Sequence, residues 1–333
     1  MRTAFVAAVF LIIKLNLAFA EVPTIKIDGS STVFPITEAM AEEFQSAQKG
    51  KVRVTVGISG TGGGFKKFCR GEIDIQDASR PIQKEEMENC KKAGIKFFEV
   101  PIAYDATVVV VNLKNNWLTS IELSDLKKIW EPTAQGKVMN WSDVNPKWPK
   151  EKLKLYGAGA DSGTFDYFTE AIVGKAKSSR GDYTASEDDN TLVTGVSKDI
   201  YSLGYLPLAY FEENKSKLKA LAIIGGDKAP KKNEAVKPSR ETVEAGTYYP
   251  LSRPVFIYIS EAAMKKSEIK DFVNFYLNSA ASIIPQVKYV PLPSKAYELA
   301  KEHVKANKLG TVFNGHSEVG LKIEQLMKRE SAL

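Results

Sequence analysis

The sequence predicts an α/β protein folded as two lobes. Three observations carry that expectation. Strand-like and helix-like patterns alternate along the chain. Its 333 residues exceed what one hydrophobic core usually accommodates. Two β-branched runs, at residues 106–112 and 255–259, have the unbroken apolar character of strands buried on both faces, as crossovers between lobes would be.

The elements follow in order. Residues 1–20 stand apart from the fold: Arg2 precedes an apolar stretch broken by Lys14 and Asn16, and Ala18-Phe19-Ala20 forms an A-x-A cleavage site before Glu21. The stretch is short for a membrane span, and no cysteine near the cut offers a lipid anchor, so a cleaved signal peptide and an exported, soluble product are expected. Residues 24–28 read as a strand. Pro35 suits the first turn of a helix whose buried stripe is Ile36, Met40 and Phe44. Val52, Val54, Val56 and Ile58 alternate with polar residues, and that strand ends at Ser59. Phe65, Phe68 and Cys69 give the next helix its apolar face, and a short strand at 72–78 stops at Ser79-Arg80-Pro81. After the first crossover, Trp117, Trp130, Trp141 and Trp148 lie among prolines in an expected loop. A strand at 152–156 leads to a helix with Phe165, Phe168 and Ile172 on one face. Strands at 203–210 and 255–259 follow, the latter behind Arg253-Pro254, and residues 267–277 and 294–307 read as helices.

Three turns share one chemistry: Gly29-Ser30-Ser31-Thr32-Val33, Ser59-Gly60-Thr61-Gly62-Gly63-Gly64 and Asp161-Ser162-Gly163-Thr164. Each follows a strand and opens a helix. A helix start leaves N–H groups without partners and carries partial positive charge, glycine lets the backbone approach a ligand, and hydroxyls add donors. Aimed at one point, the three would form a cradle for a small oxyanion. Taken singly, each is equally an ordinary helix cap.

Composition narrows the alternatives. Hydrophobic and charged contents of 44% and 26% are those of an ordinary globular protein. The net charge of +6, including Arg2 and Lys14, mildly favours an anionic ligand, but the lysines are scattered and nothing marks a nucleic-acid surface. The two cysteines, Cys69 and Cys90, are expected to pair in an exported chain. His303 and His316 belong to no metal-spaced set, and neither a nucleophile elbow nor a P-loop is present, so no catalytic residue, metal or cofactor is expected. Arg180-Gly181-Asp182 reads as a chance tripeptide.

In order and spacing, GSSTVFP, SGTGGGF, DASRPI, ADSGTFDYF, DYTASEDDN, SRPVFIY and YVPLP resemble the phosphate-binding proteins of bacterial phosphate ABC transporters over essentially the whole mature chain. The resemblance implies a type II periplasmic-binding-protein fold with two crossover strands and the ligand in the interlobe cleft. One lobe would comprise residues 21–108 and 253–333, the other residues 109–252. It implies capture of inorganic phosphate by a monomer and delivery to a membrane permease. Matching positions give phosphate contacts at Ser31, Thr32 and Val33, at Ser162, Gly163 and Thr164, and at Ser59 or Thr61, which compete because the second turn is one residue longer. Two positions depart from the pattern. Ala158 stands where better-known members carry arginine, and Arg80 stands where they carry an acceptor aspartate. Arg80 is therefore expected to ion-pair with the ligand, and Asp105, or else Asp161, to accept its proton. Glu187, Asp188 and Asp189 are expected to be solvated, and Arg180 to be a loop residue. Without the usual acceptor, sulfate or another tetrahedral oxyanion is the alternative ligand. A phosphate-ester hydrolase using a turn serine is a further one, though it lacks an activating base.

Overall fold

A computed structural model describes residues 22–333 of the chain. The expected signal peptide and its cleavage after Ala20 lie outside the described residues. β1 (Thr24–Gly29) buries Ile25 and Ile27. α1 (Phe34–Gln48) holds Pro35 in its first turn and buries Ile36, Met40 and Phe44. β2 (Arg53–Ile58) is an edge strand paired with β1, so its alternating residues are only partly covered and Ile58 is 44% exposed. α2 (Gly60–Phe68) opens directly from β2. β3 (Ile75–Ala78) is fully buried, and α3 (Lys84–Lys92) starts with a capping box between Gln83 and Glu86. Cys69, which closes α2, is bonded to Cys90 in α3.

β4 (Phe97–Asn112) is 16 residues long and buried throughout. Its first half escapes a sequence reading because Pro101 interrupts the pattern. A bulge accommodates that proline: Val255 faces Ala103 and Phe256 faces Pro101, leaving Ile102 unmatched. The tryptophan-rich stretch is more ordered than expected, with β5 (Ser120–Glu122), α4 (Leu123–Trp130) and α5 (Trp141–Val144). Trp117, Trp141 and Trp148 pack on one another, and Trp130 meets Phe168, Tyr183 and Tyr205 edge-on. β6 (Lys154–Ala158), α6 (Gly163–Val173), β7 (Thr184–Ser186), α7 (Asp189–Lys198) and β8 (Ser202–Pro207) follow. The strand expected to reach residue 210 stops at Pro207, which caps α8 (Leu208–Glu213). β9 (Leu218–Ala220), β10 (Ala222–Ile224), β11 (Ala235–Val236) and α9 (Arg240–Glu244) lead to the return strand β12 (Ser252–Ser260). The chain closes with α10 (Ser267–Ile283), β13 (Val290–Pro291), α11 (Ser294–Lys305) and α12 (Ile323–Glu330).

The main sheet runs β2-β1-β3-β12-β4-β8-β6-β7, and β4 changes neighbours along its length. From Phe97 to Ala106 it pairs with β12, and from Thr107 to Val111 with β8. β1, β2 and β3 are mutually parallel on one side of that change, as are β6, β7 and β8 on the other. Because β4 runs antiparallel to both β12 and β8, and β12 antiparallel to β3, the C-terminal ends of the two strand groups converge on the Ala106–Thr107 line. Ligands of open α/β sheets sit outside such strand ends. This is the two-lobed, two-crossover architecture of the expected fold class, and it brings the three glycine-hydroxyl turns to one seam.

Candidate functional site

The first and third turns meet through Thr32 and Thr164, whose hydroxyls are hydrogen-bonded at 2.9 Å although 132 residues separate them. Both are buried. The second turn joins through Thr61: its hydroxyl accepts the Ser79 N–H at 3.1 Å and is bonded to the Ser79 hydroxyl at 3.0 Å. Gly163 lies against that pair. A Cβ there would sit 2.4 Å from Ser79 Oγ and 2.6 Å from Thr61 Oγ1, so only glycine lets the third turn approach the second so closely. The Gly62 N–H donates to the Asp161 carbonyl at 3.0 Å across the same seam.

The remaining turn residues divide. Ser31 and Ser162 are buried beside these groups. Ser162 caps α6 by accepting the Thr164 N–H at 3.1 Å, which leaves its own O–H proton to donate. The Val33 amide is used within its turn, bonded to the Ser30 carbonyl. Ser59 is turned away from the seam and donates to the Asp28 carboxylate. Of the two competing second-turn residues, Thr61 is the one at the seam.

Arg80 is placed differently from the expectation. It is buried, but its Nε donates to Asp166 at 2.6 Å, and Nη1 and Nη2 donate to Glu86 at 2.8 and 2.9 Å. Burial alone would depress its pKa, yet Glu86 and Asp166 outweigh that and raise it. This guanidinium has two carboxylate partners already, neither of them Asp161, which instead pairs with Lys66. Glu86, which the sequence reading did not single out, also completes the capping box of α3. Arg180 is no plain loop residue either: it is buried, paired with Asp182, and donates to the carbonyls of Ile129 and Val138.

A second arginine at the seam is Arg253, on the return strand. Its Nη1 donates to the Gly163 carbonyl at 2.7 Å, and its Nη2 to Thr164 Oγ1 at 2.7 Å and Asp105 Oδ2 at 3.3 Å. It is 1% exposed, and its Nε has no partner among the described residues. The available signal was an arginine heading a strand otherwise buried on both faces, where a charge persists only if paired.

Two carboxylates complete the cluster. Asp105 is buried; burial pushes its pKa up to about 6 against the pull of Arg253 and the Ala106 and Leu208 amides. Asp189, expected to be solvated, is 3% exposed in the first turn of α7. Burial pushes it up to about 7, opposed by a hydrogen bond from Ser31. Asp105 Oδ1 and Asp189 Oδ2 have no partner among the described residues. Hydroxyls, one guanidinium and two buried carboxylates therefore share one seam. Such a set suits a tetrahedral oxyanion that still carries a proton.

Comparison with known proteins agrees with this chemistry. A family model described as a PBP superfamily domain matches residues 19–280. Protein SphX of Synechococcus elongatus is 54% identical over 313 residues, covering 94% of this chain and 90% of its own. Phosphate-binding protein PstS of Staphylococcus saprophyticus is 38% identical over 276 residues, covering 82% of each. Among solved structures, a possible phosphate binding protein from Planctomyces limnophilus is 46% identical with a TM-score of 0.63, covering 86% of this chain and 98% of that one. A putative phosphate ABC transporter substrate-binding protein from Clostridium perfringens, with bound phosphate, is 25% identical with a TM-score of 0.67, covering 81% and 100%.

Proposed function

The chain belongs to the PBP superfamily, and we propose that it is an exported receptor that captures inorganic phosphate between its lobes and delivers it to the permease of an ABC transporter. The observation that carries this reading is the meeting of Thr32, Thr61 and Thr164 with the buried guanidinium of Arg253. Phosphate would enter between hydroxyls that now bond to one another, and each would turn its proton to an anion oxygen. Arg253 supplies the positive charge in place of Arg80, whose donors are taken by Asp166 and Glu86. The Ser31 and Ser162 hydroxyls add neutral donors. No step of bond-making is required of the protein, and we assign it no catalytic residue. Relatives named for phosphate binding and transport support the ligand and the permease partner. The A-x-A site after a basic, apolar start supports export.

The lobes of this reading are residues 21–108 with 253–333, and residues 109–252. The change of β4 partners between Ala106 and Thr107 supports that division. Binding across the seam stabilises only the folded, closed form. For micromolar affinity, millimolar phosphate would add about 4 kcal/mol of stability. The test is a thermal melt of protein stripped of ligand by unfolding and refolding, with and without phosphate. A rise of several degrees is expected, and an unmoved midpoint would overturn the assignment.

A further inference from the structure

We propose that Gln76 is a positioning residue of the site: it fixes the second glycine turn against the first and so sets the place of the Thr61 hydroxyl. This inference rests on the phosphate reading above and names a residue outside the cradle on which its affinity depends.

Gln76 lies in β3, between β1 and β12, and is fully buried. Strand side chains alternate between two faces. Asp77 takes the face toward α1, where it accepts from the Thr37 hydroxyl at 2.9 Å. Gln76 takes the face toward α2. Its Nε2 donates to the Thr61 carbonyl at 2.9 Å and to the Asp77 carbonyl at 2.8 Å. The Asp77 carbonyl also accepts the Ser30 N–H at 3.0 Å. One side-chain amide therefore ties the backbone that carries Thr61 to the oxygen that holds the start of the first turn. Its orientation follows from these partners, because turned over it would set its oxygen against two carbonyl oxygens.

The same amide accounts for a glycine in each turn. A Cβ on Gly64 would sit 2.0 Å from Gln76 Oε1 and 2.7 Å from the Gly29 Cα. A Cβ on Gly29 would sit 2.8 Å from Oε1 and 2.2 Å from the Asp77 carbonyl oxygen. The two glycines thus leave the room that the amide fills. Oε1 itself has no partner among the described residues, and a buried acceptor left so costs free energy. A methionine would fill similar space without that cost, so what distinguishes glutamine here is its pair of donors.

The consequence reaches the seam through Thr61. Its hydroxyl is bonded to the Ser79 hydroxyl and N–H, and Gly163 of the third turn lies against that pair. Groups of a binding site must be held within about 0.5 Å of their working geometry. Without the Nε2 bonds the first turn of α2 can shift along β3, and Thr61 shifts with it.

The experiment is a double-mutant cycle read by calorimetric titration of the ligand-stripped full-length mature protein with inorganic phosphate. The proteins are the wild type, Gln76→Met, Thr61→Val and the double variant, each checked by circular dichroism. Gln76→Met is expected to raise the phosphate Kd at least about tenfold, and Thr61→Val to raise it by about 10–100-fold. The double variant should bind within about threefold of Thr61→Val alone, because positioning adds nothing once the hydroxyl is gone. A merely structural glutamine would leave the Kd of folded Gln76→Met at the wild-type value, or its loss would multiply with that of Thr61→Val. Either result would overturn the inference. If Gln76→Met does not fold, Gly64→Ala, whose methyl displaces the same amide, takes its place in the cycle with the same expected and contrary outcomes. Failure of the wild type to bind phosphate would instead overturn the function, so the two failures are separable.

Discussion

Replacing Arg253 with glutamine separates the role of this buried arginine from that of Arg80. Arg253 spends its donors on the Gly163 carbonyl, the Thr164 hydroxyl and Asp105, while Nε has no partner among the described residues. Nε and Nη2 are the two positions from which an oxyanion at Thr164 would accept. Two charge-assisted hydrogen bonds are worth roughly 1.5–3 kcal/mol each, so Arg253→Gln should lose about 3–6 kcal/mol of binding. At 1.4 kcal/mol per decade that is a rise of about 10²–10⁴ in the phosphate Kd. The free protein should also lose stability, because removing one partner of a buried pair costs about 3–5 kcal/mol. Protonation of the stranded Asp105 limits that loss, and adding Asp105→Asn should recover part of it. Arg80→Gln is the matched comparison. It strands Asp166 and Glu86 and should lower the melting point comparably, with an effect on Kd smaller than about tenfold. Titration calorimetry on stripped protein reads the binding, and thermal denaturation reads the stability. If Arg253→Gln binds phosphate within about threefold of the wild type while Arg80→Gln does not, the assignment of the cationic role is wrong.

Three further outcomes are expected. Gly163→Ala would place a methyl 2.4 Å from Ser79 Oγ, pushing the third turn off the second, and should weaken phosphate binding at least about tenfold in titration while the circular dichroism spectrum is kept. Reduction of the Cys69–Cys90 bond, which closes a loop of 21 residues of sequence separation, should cost ~3 kcal/mol in a chemical denaturation curve; an unchanged midpoint would count against any stabilising role. Burial raises Glu99 to about 7 and Glu330 to about 8 from an ordinary 4.5. The unfolded chain then releases these protons first, so ligand-free stability should fall as pH rises from about 4.5 to 8. Glu330→Gln should flatten that slope in melts recorded from pH 5 to 8.5, and an unaltered slope would assign it to other groups.

The parts of the fold that were legible in the sequence are those whose signal is local. Pro35 with the Ile36-Met40-Phe44 stripe defines α1, and the valines of β4 announce a strand covered on both faces. The glycine-hydroxyl turns could be read because backbone approach and capping chemistry are written in adjacent residues. What could not be read depends on distant partners. The charge of Arg80 is neutralised by Asp166, 86 residues away, and by Glu86, which nothing in the local sequence marks as its partner. Asp189 resembled its exposed neighbour Asp188 until α7 packed it against the first turn. Arg253 is marked only by its strand, and its role follows from Gly163, 90 residues earlier in the chain. Pro101 hid half of β4 because the bulge that tolerates it is formed with another strand.

A crystal structure of the stripped protein grown with phosphate tests most directly whether the seam is the binding site. Density for one tetrahedral anion is expected among the hydroxyls of Thr32, Thr61 and Thr164, within hydrogen-bond reach of Arg253, with Arg80 still held by Asp166 and Glu86. An anion bound to Arg80 instead, or resting on the outer surface with the three threonines still bonded to their present partners, would contradict the account.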